Sequence, residues 1–455
     1  MNIIPHAHLT ALQLSRLYQA GTTTPSQVIS DIYKHIDIAP HTFISLTQNR
    51  AIMQAQQATE RWQAGYPLSI FDGIPIAYKD LFDIKGTITT AGSLTRQDAF
   101  VAKHDAAQVA KLTRMGLVGI GKTNLSEYAY SGLGLNPHYG TPLNTVNPKH
   151  IPGGSSSGSA TAVGSGLVPV AMGTDSAGSI RIPSAFNGLV GHRASTHRYD
   201  MTGIFPLAHS VDTTGGITKD AADSYLMDEL LLGCDTSAWL DADYRPSFMD
   251  STQPTFYVDT CLVSDCDDDV LDNFYTFINK LRYQGFRVIE KPFDTLKQVL
   301  TLIDSGHWIG VAEAYTLHAE LLSSQKISLM DQRVYARLMK GKDIPASTQI
   351  QIYKAKYVYQ KLIARELGAG LLLLPTVAHV APQIAPLETD SELFAQANLA
   401  ALRLTMIGSF LDLAVVAMPS GLGNYGLPTS VSILGLTGTD KQVLQSAYKI
   451  AYDSL

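Results

Sequence analysis

Charge is scarce in this chain of 455 residues: 16% are Asp, Glu, Lys or Arg, where about 25% is usual for globular domains. That deficit, together with 45% hydrophobic residues and a mean hydropathy of +0.05, implies a large buried interior. There is no run of Lys or Arg, and the formal net charge is −6, so nucleic acid and anionic membranes are not expected partners. Cysteine is scarcer still. Cys234, Cys261 and Cys266 are odd in number and form no CxxC, which supports neither a disulfide framework nor a zinc site. The first residues lack both a basic segment and a continuous apolar one, so they do not read as a secretory signal. The longest apolar stretch, LTMIGSFLDLAVVAMPSG, is broken by Asp412 and Pro419 and reads as a buried strand, not a membrane span. The expectation is a cytoplasmic protein.

What is present reads as alternating helix and strand. Thr10 with Gln13, and Thr24 with Gln27 after Pro25, carry capping-box signals, predicting helices over 11–20 and 25–38, with a third over 50–64 ended by Gly65. GIPIAY (73–78) reads as a strand leading into Lys79. Asp105 and Gln108 predict the start of another helix, which Gly116 closes, followed by a strand over 117–121. A helix over 159–166 and a strand over 167–173 come next. This alternation predicts an α/β fold: α/β/α layers around a large mixed, twisted β-sheet. The segment 236–367 reads as strand, helix, strand and then helix-rich sequence, a helical insertion in a single domain spanning 1–455. SDCDDD, around Cys266, invites comparison with calcium loops, but acidic residues in a first helical turn account for it.

Two Gly/Ser-rich loops stand out, GGSSSGS (153–159) and GTDSAGS (173–179). The first contains G-x-S-x-G centred on Ser156, yet that motif needs a strand before it, and the preceding NTVNPKHIP reads as loop. It lacks the Gly-Lys-Ser/Thr of a phosphate-binding loop. Ser323 to Lys326 matches S-x-x-K without its companion motifs. The second loop is the better nucleophile platform, because it follows a buried strand and its small residues leave successive N–H groups free for an oxyanion. Ser179 would still need a base. His192, His197 and His209 follow the loop, but none falls in a motif that assigns it that role.

PGGSSSGSA followed by GTDSAGSIRIPSAFNGLVGHRAS resembles the pattern of the amidase signature family. GIPIAYKDLFDIKG, TTAGS, GKTNLSEYAYSGLG and NPHYGTPLN resemble it too, in the expected order, and the match is strongest over about 72–220. The resemblance implies a Ser-cisSer-Lys triad with Lys79 as base, Ser155 as the cis-serine relay and Ser179 as nucleophile. The backbone of Ser176, Ala177, Gly178 and Ser179 is the implied oxyanion hole. A base at Lys79 must be neutral, which calls for burial among hydroxyls. Tyr128, Ser131 and Gly132, in YAYSGLG, are implied pocket residues, with core packing as the alternative. Ala177 stands where relatives commonly have Gly, and Gly191 to Ser195 (GHRAS) departs from the usual Gly-x-Lys-Pro-Thr/Ser.

The implied activity is hydrolysis of a small amide, with no metal and no organic cofactor. Two alternatives stay open: the glutaminase component of a tRNA-dependent amidotransferase, and a catalytically inactive scaffold. Assembly as a homodimer is also left open.

Overall fold

The computed structural model describes residues 5–241 and 243–452, and its strands form one mixed sheet. They are β1 (Phe43–Leu46), β2 (Pro75–Lys79), β3 (Val118–Thr123), β4 (Val170–Asp175), β5 (Val190–Arg193), β6 (Thr213–Thr218), β7 (Phe256–Val258), β8 (Val288–Glu290), β9 (Leu371–Pro375), β10 (Ala414–Leu422) and β11 (Pro428–Gly435). Their spatial order is β1-β3-β2-β4-β6-β5-β10-β11-β9-β7-β8. β2 runs parallel to β3 and β4, and β7 to β8 and β9; the other pairs are antiparallel.

Every residue of β2, β4, β6, β9 and β11 is buried. Successive side chains of a strand point to opposite faces, so both faces of the sheet are covered. Helices Gln48–Ala64, Ser157–Gly164, Asp268–Tyr283 and Asp440–Tyr452 pack against it. The expected α/β fold is thus present.

Both predicted capping boxes form, at Thr10/Gln13 and Thr24/Gln27. Asp105 is different: it caps nothing. Its carboxylate accepts two bonds from Arg50 at 2.7 Å and one from the Lys85 amide at 2.8 Å, and the helix Ala107–Arg114 starts from Ala106 without a side-chain cap. A charge-assisted bidentate partner outcompetes the local amide. The long apolar stretch also departs from expectation. Its first part ends the helix Ser391–Phe410, Asp412 turns the chain at φ +56°, and only then does β10 begin. Hydrophobicity alone does not separate a buried helix end from a buried strand.

The segment 236–367 contributes β7 and β8 to the sheet edge, then helices Asp294–Asp304, Val311–Leu317, Gln332–Met339 and Ala346–Leu367. Asp268 and Asp269 lie in the first turn of Asp268–Tyr283, as SDCDDD suggested. Among the described residues no helix is long and apolar enough to cross a membrane. The parallel strands β2, β3 and β4 point their carboxyl ends to the same edge, Lys79 level with Thr123 and β4 running two residues further to Asp175, and at such carboxyl ends open α/β sheets gather their functional loops.

Candidate active site

Lys79, the last residue of β2, is fully buried. Its Nζ donates to Ser155 Oγ at 2.7 Å and to Thr174 Oγ1 at 2.8 Å, and it forms no ion pair among the described residues. Burial lowers its pKa to about 7, although the charges of Asp175 and Asp212 oppose the shift. Hydroxyls can satisfy an amine without holding it as ammonium, which is why this lysine is poised to be neutral.

Ser155 follows a cis peptide bond at Gly154. A Cβ on Gly154 would stand 2.6 Å from the Gly134 amide nitrogen and 2.8 Å from Ser126 Oγ, so only glycine lets these loops meet. The two Gly/Ser loops are joined directly, because the Ser156 amide donates to the Ser179 carbonyl at 3.1 Å. Ser156 Oγ is turned back to the Thr174 carbonyl at 3.3 Å, which makes Ser156 a structural residue and accounts for the G-x-S-x-G match.

The turn carrying Ser179 is built around Asp175, the last residue of β4. Its carboxylate accepts the Gly178 amide at 2.7 Å, the Ile180 amide at 3.2 Å and both Nε and Nη2 of Arg181 at 2.9 Å. Arg193 Nε lies 3.8 Å away. Burial alone would raise the pKa of Asp175, but the two guanidiniums outweigh it and hold the carboxyl at about 2. The Gly178 amide is therefore already taken, which corrects the expectation of four free donors. The amides of Ser176, Ala177 and Ser179 have no acceptor among the described residues. Gly178 has φ +137°, and a Cβ there would come within 2.3 Å of Thr405 Oγ1.

Ser179 and Ala177 line a cavity of about 370 Å³. Ser131 and Gly132 line it as well, held by Asn398 Oδ1, which accepts from Ser131 Oγ at 3.2 Å and the Gly132 amide at 2.8 Å. Tyr128 does not. With φ +53° at Tyr128 and +60° at Ala129 the chain reverses, so Tyr130 faces the cavity. The Tyr128 hydroxyl bonds Thr95, and its ring packs against His318 at 4.4 Å and Phe205 at 5.9 Å.

The segment 236–367 and the helix Ser391–Phe410 also line the cavity, with Trp308, Val311, Arg337, Leu402 and Met406 among their residues. No motif pointed to these residues. Asp175, Arg181 and Thr405 were also missed. Asp175 and Arg181 sit inside GTDSAGSIR, where the pairing of an acid with an arginine six positions on was the available signal. None of His192, His197 and His209 hydrogen-bonds Ser179; His192 is buried with Nε2 3.4 Å from Asp440 Oδ1.

Residues 27–444 match the family model described as Amidase. The chain is 29% identical to a fatty acid amide hydrolase of Medicago truncatula, over 94% of this chain and 74% of that protein. It is 26% identical to the A subunit of glutamyl-tRNA(Gln) amidotransferase from Chlamydia pneumoniae, over 96% of this chain and 94% of that protein. A crystal structure of an amidase superposes with a TM-score of 0.84 at 25% identity, covering 98% of this chain and all of the other.

Proposed function

The chain belongs to the amidase family of enzymes acting on amide C–N bonds, and from that premise we propose that it hydrolyses a small amide through an acyl-enzyme on Ser179. Ser179 Oγ attacks the amide carbonyl while Ser155 takes its proton and passes its own to neutral Lys79. The oxyanion gathers the free amides of Ser176, Ala177 and Ser179. Lys79 then returns the proton through Ser155 to the leaving nitrogen, the C–N bond breaks, and ammonia or an amine departs from the Ser179 ester. Water, deprotonated along the same route, attacks the ester and restores Ser179, leaving a carboxylate. Atoms balance as amide plus water to acid plus amine.

The observation that carries this reading is the bond from the buried Lys79 Nζ to Ser155 Oγ, set in a loop joined to that of Ser179. The cavity volume supports a small substrate. A fluorophosphonate probe tests the assignment. Labelling at Ser179, abolished by Ser179→Ala, together with ammonia release from primary amides, is expected. Labelling at another residue overturns the nucleophile, and no labelling at all favours the inactive scaffold.

The likeness to an amidotransferase component over nearly its whole length favours a second reading, a glutaminase that works with a partner. Ammonia released by the purified chain alone supports the first reading. Dependence on an amidotransferase partner and tRNA supports the second.

A further inference from the structure

Four charged side chains line the cavity: Asp304, Arg337, Lys340 and Arg403. Two of them answer each other. Arg403 lies 3.1 Å from Asp265 and 3.9 Å from Asp304. Arg337 and Lys340 form no ion pair among the described residues. Arg337 is half-buried; its Nη1 donates to the Tyr130 carbonyl at 2.8 Å, and its guanidinium stands 4.9 Å from the Tyr130 ring centroid. A guanidinium has five donors in a planar fork, and one accounts for all of its hydrogen bonds to the described residues.

Its place is firmly held. Arg337 belongs to the helix Gln332–Met339, and the amide of Asp331, which caps that helix, donates to Glu127 Oε2 at 2.7 Å. Glu127 is itself buried, with Oε1 accepting from Ser93 Oγ at 2.5 Å and lying 3.1 Å from His138 Nε2. The helix is thus fastened at one end through Glu127 and near the other through Arg337, both to the segment that carries Tyr130, Ser131 and Gly132. The cavity that Arg337 lines is largely apolar, with Leu207, Trp308 and Met406 among its lining residues. A half-dehydrated cation without a counter-ion is unfavourable in such a wall, and a planar carboxylate is the ligand whose geometry matches its fork.

We infer that the amide substrate carries a carboxylate remote from the scissile bond, recognised by Arg337 with Lys340 adding positive potential. This rests on the proposed amide hydrolysis at Ser179 and names its substrate class. Arg337 acts here as a specificity determinant, apart from the proton relay.

Glutaramate and pentanamide, five-carbon primary amides ending in a carboxylate and a methyl respectively, provide the test. The wild-type chain is expected to favour glutaramate in kcat/KM by at least about tenfold, mainly through KM, as a charge-assisted hydrogen bond predicts. Arg337→Met should collapse the ratio of the two kcat/KM values by about ten- to a hundredfold, and Arg337→Lys should keep part of it. Loss of a merely structural tether would lower both rates and leave their ratio unchanged. A wild-type ratio near one, or an unchanged ratio in Arg337→Met, overturns the inference. Calorimetry with the Ser179→Ala chain separates recognition from chemistry. Preferential glutaramate binding that disappears in Ser179→Ala/Arg337→Met, with no hydrolysis by the wild type, sinks the proposed reaction and keeps the carboxylate subsite. Pentanamide hydrolysis without any preference does the reverse, and absence of both glutaramate binding and glutaramate hydrolysis removes the subsite.

Discussion

Lys79 and Ser155 meet at 2.7 Å in a place closed to solvent, although 76 positions separate them in the chain. The bond joins the end of a parallel strand to a Gly/Ser loop, and it puts an amine with a pKa near 7 against a hydroxyl. A general base is most effective when its pKa lies near the working pH.

The pH dependence of the rate follows. If neutral Lys79 is the base, kcat/KM should fall about tenfold per unit below a pKa of about 7 and level off above it. Lys79→Ala should cut the rate by orders of magnitude and abolish that limb. His197→Ala and His209→Ala should leave it in place. His192→Ala removes a partner of the buried Asp440 and should lower stability while the limb stays. A histidine variant that abolished both rate and limb would contradict the mechanism.

Stability should carry the same signature with a definite sign. The native state holds Lys79 at about 7 against an ordinary value of 10.5, so between those values the unfolded chain binds more protons and stability rises with pH. Below pH 7 the full cost applies, on the order of 5 kcal/mol. Lys79→Met should therefore gain stability relative to wild type as the pH is lowered from about 10 to about 7, and the difference should stay constant below that. Urea titrations across this range measure it, and a difference independent of pH would refute the assigned shift.

Asp175 holds the Ser179 turn and stabilises the ammonium form of Lys79. Asp175→Asn leaves Arg181 buried without its counter-ion, a loss of about 3–5 kcal/mol, read in chemical denaturation. Removing that negative charge should also lower the pKa of Lys79 further, moving any surviving acidic limb of the rate to lower pH. A limb displaced to higher pH would be incompatible with the electrostatics described.

Gly178→Ala imposes a side chain at φ +137° beside Thr405 Oγ1. A loss of about 1–3 kcal/mol is expected, with activity reduced through the displaced donors of Ser176, Ala177 and Ser179. Adding Thr405→Ala removes Oγ1 but leaves the Thr405 Cβ, 2.7 Å from the added carbon, so it should recover only part of the steric loss and none of the backbone part, and a double-mutant cycle should show that share as coupling. Strict additivity would mean that the contact with Thr405 Oγ1 carries no energy.

Much of the fold was legible because its signals are local. The boxes at Thr10/Gln13 and Thr24/Gln27 form as written, since a cap needs only a hydroxyl and an amide three positions apart. Asp105 carried the same local signal and failed, because Arg50, 55 positions earlier, claims its carboxylate.

The same division runs through the candidate site. By itself the sequence determined which residues stand in the Gly/Ser loops, that Lys79 ends a buried strand and that Ser179 sits on a turn of small residues, since loop chemistry and strand burial are written in short windows. Only the tertiary structure decided that Lys79 finds hydroxyls and no carboxylate, that the Gly178 amide is spent on Asp175 while its neighbours stay free, and that Tyr130 rather than Tyr128 faces the cavity. It also brought Arg337 and Trp308 into the lining of the cavity that Ser179 lines. Those outcomes depend on contacts between residues that can lie more than 200 positions apart, such as Arg181 with Thr405. No periodicity records them, because packing chooses partners by shape and charge after the sheet has assembled.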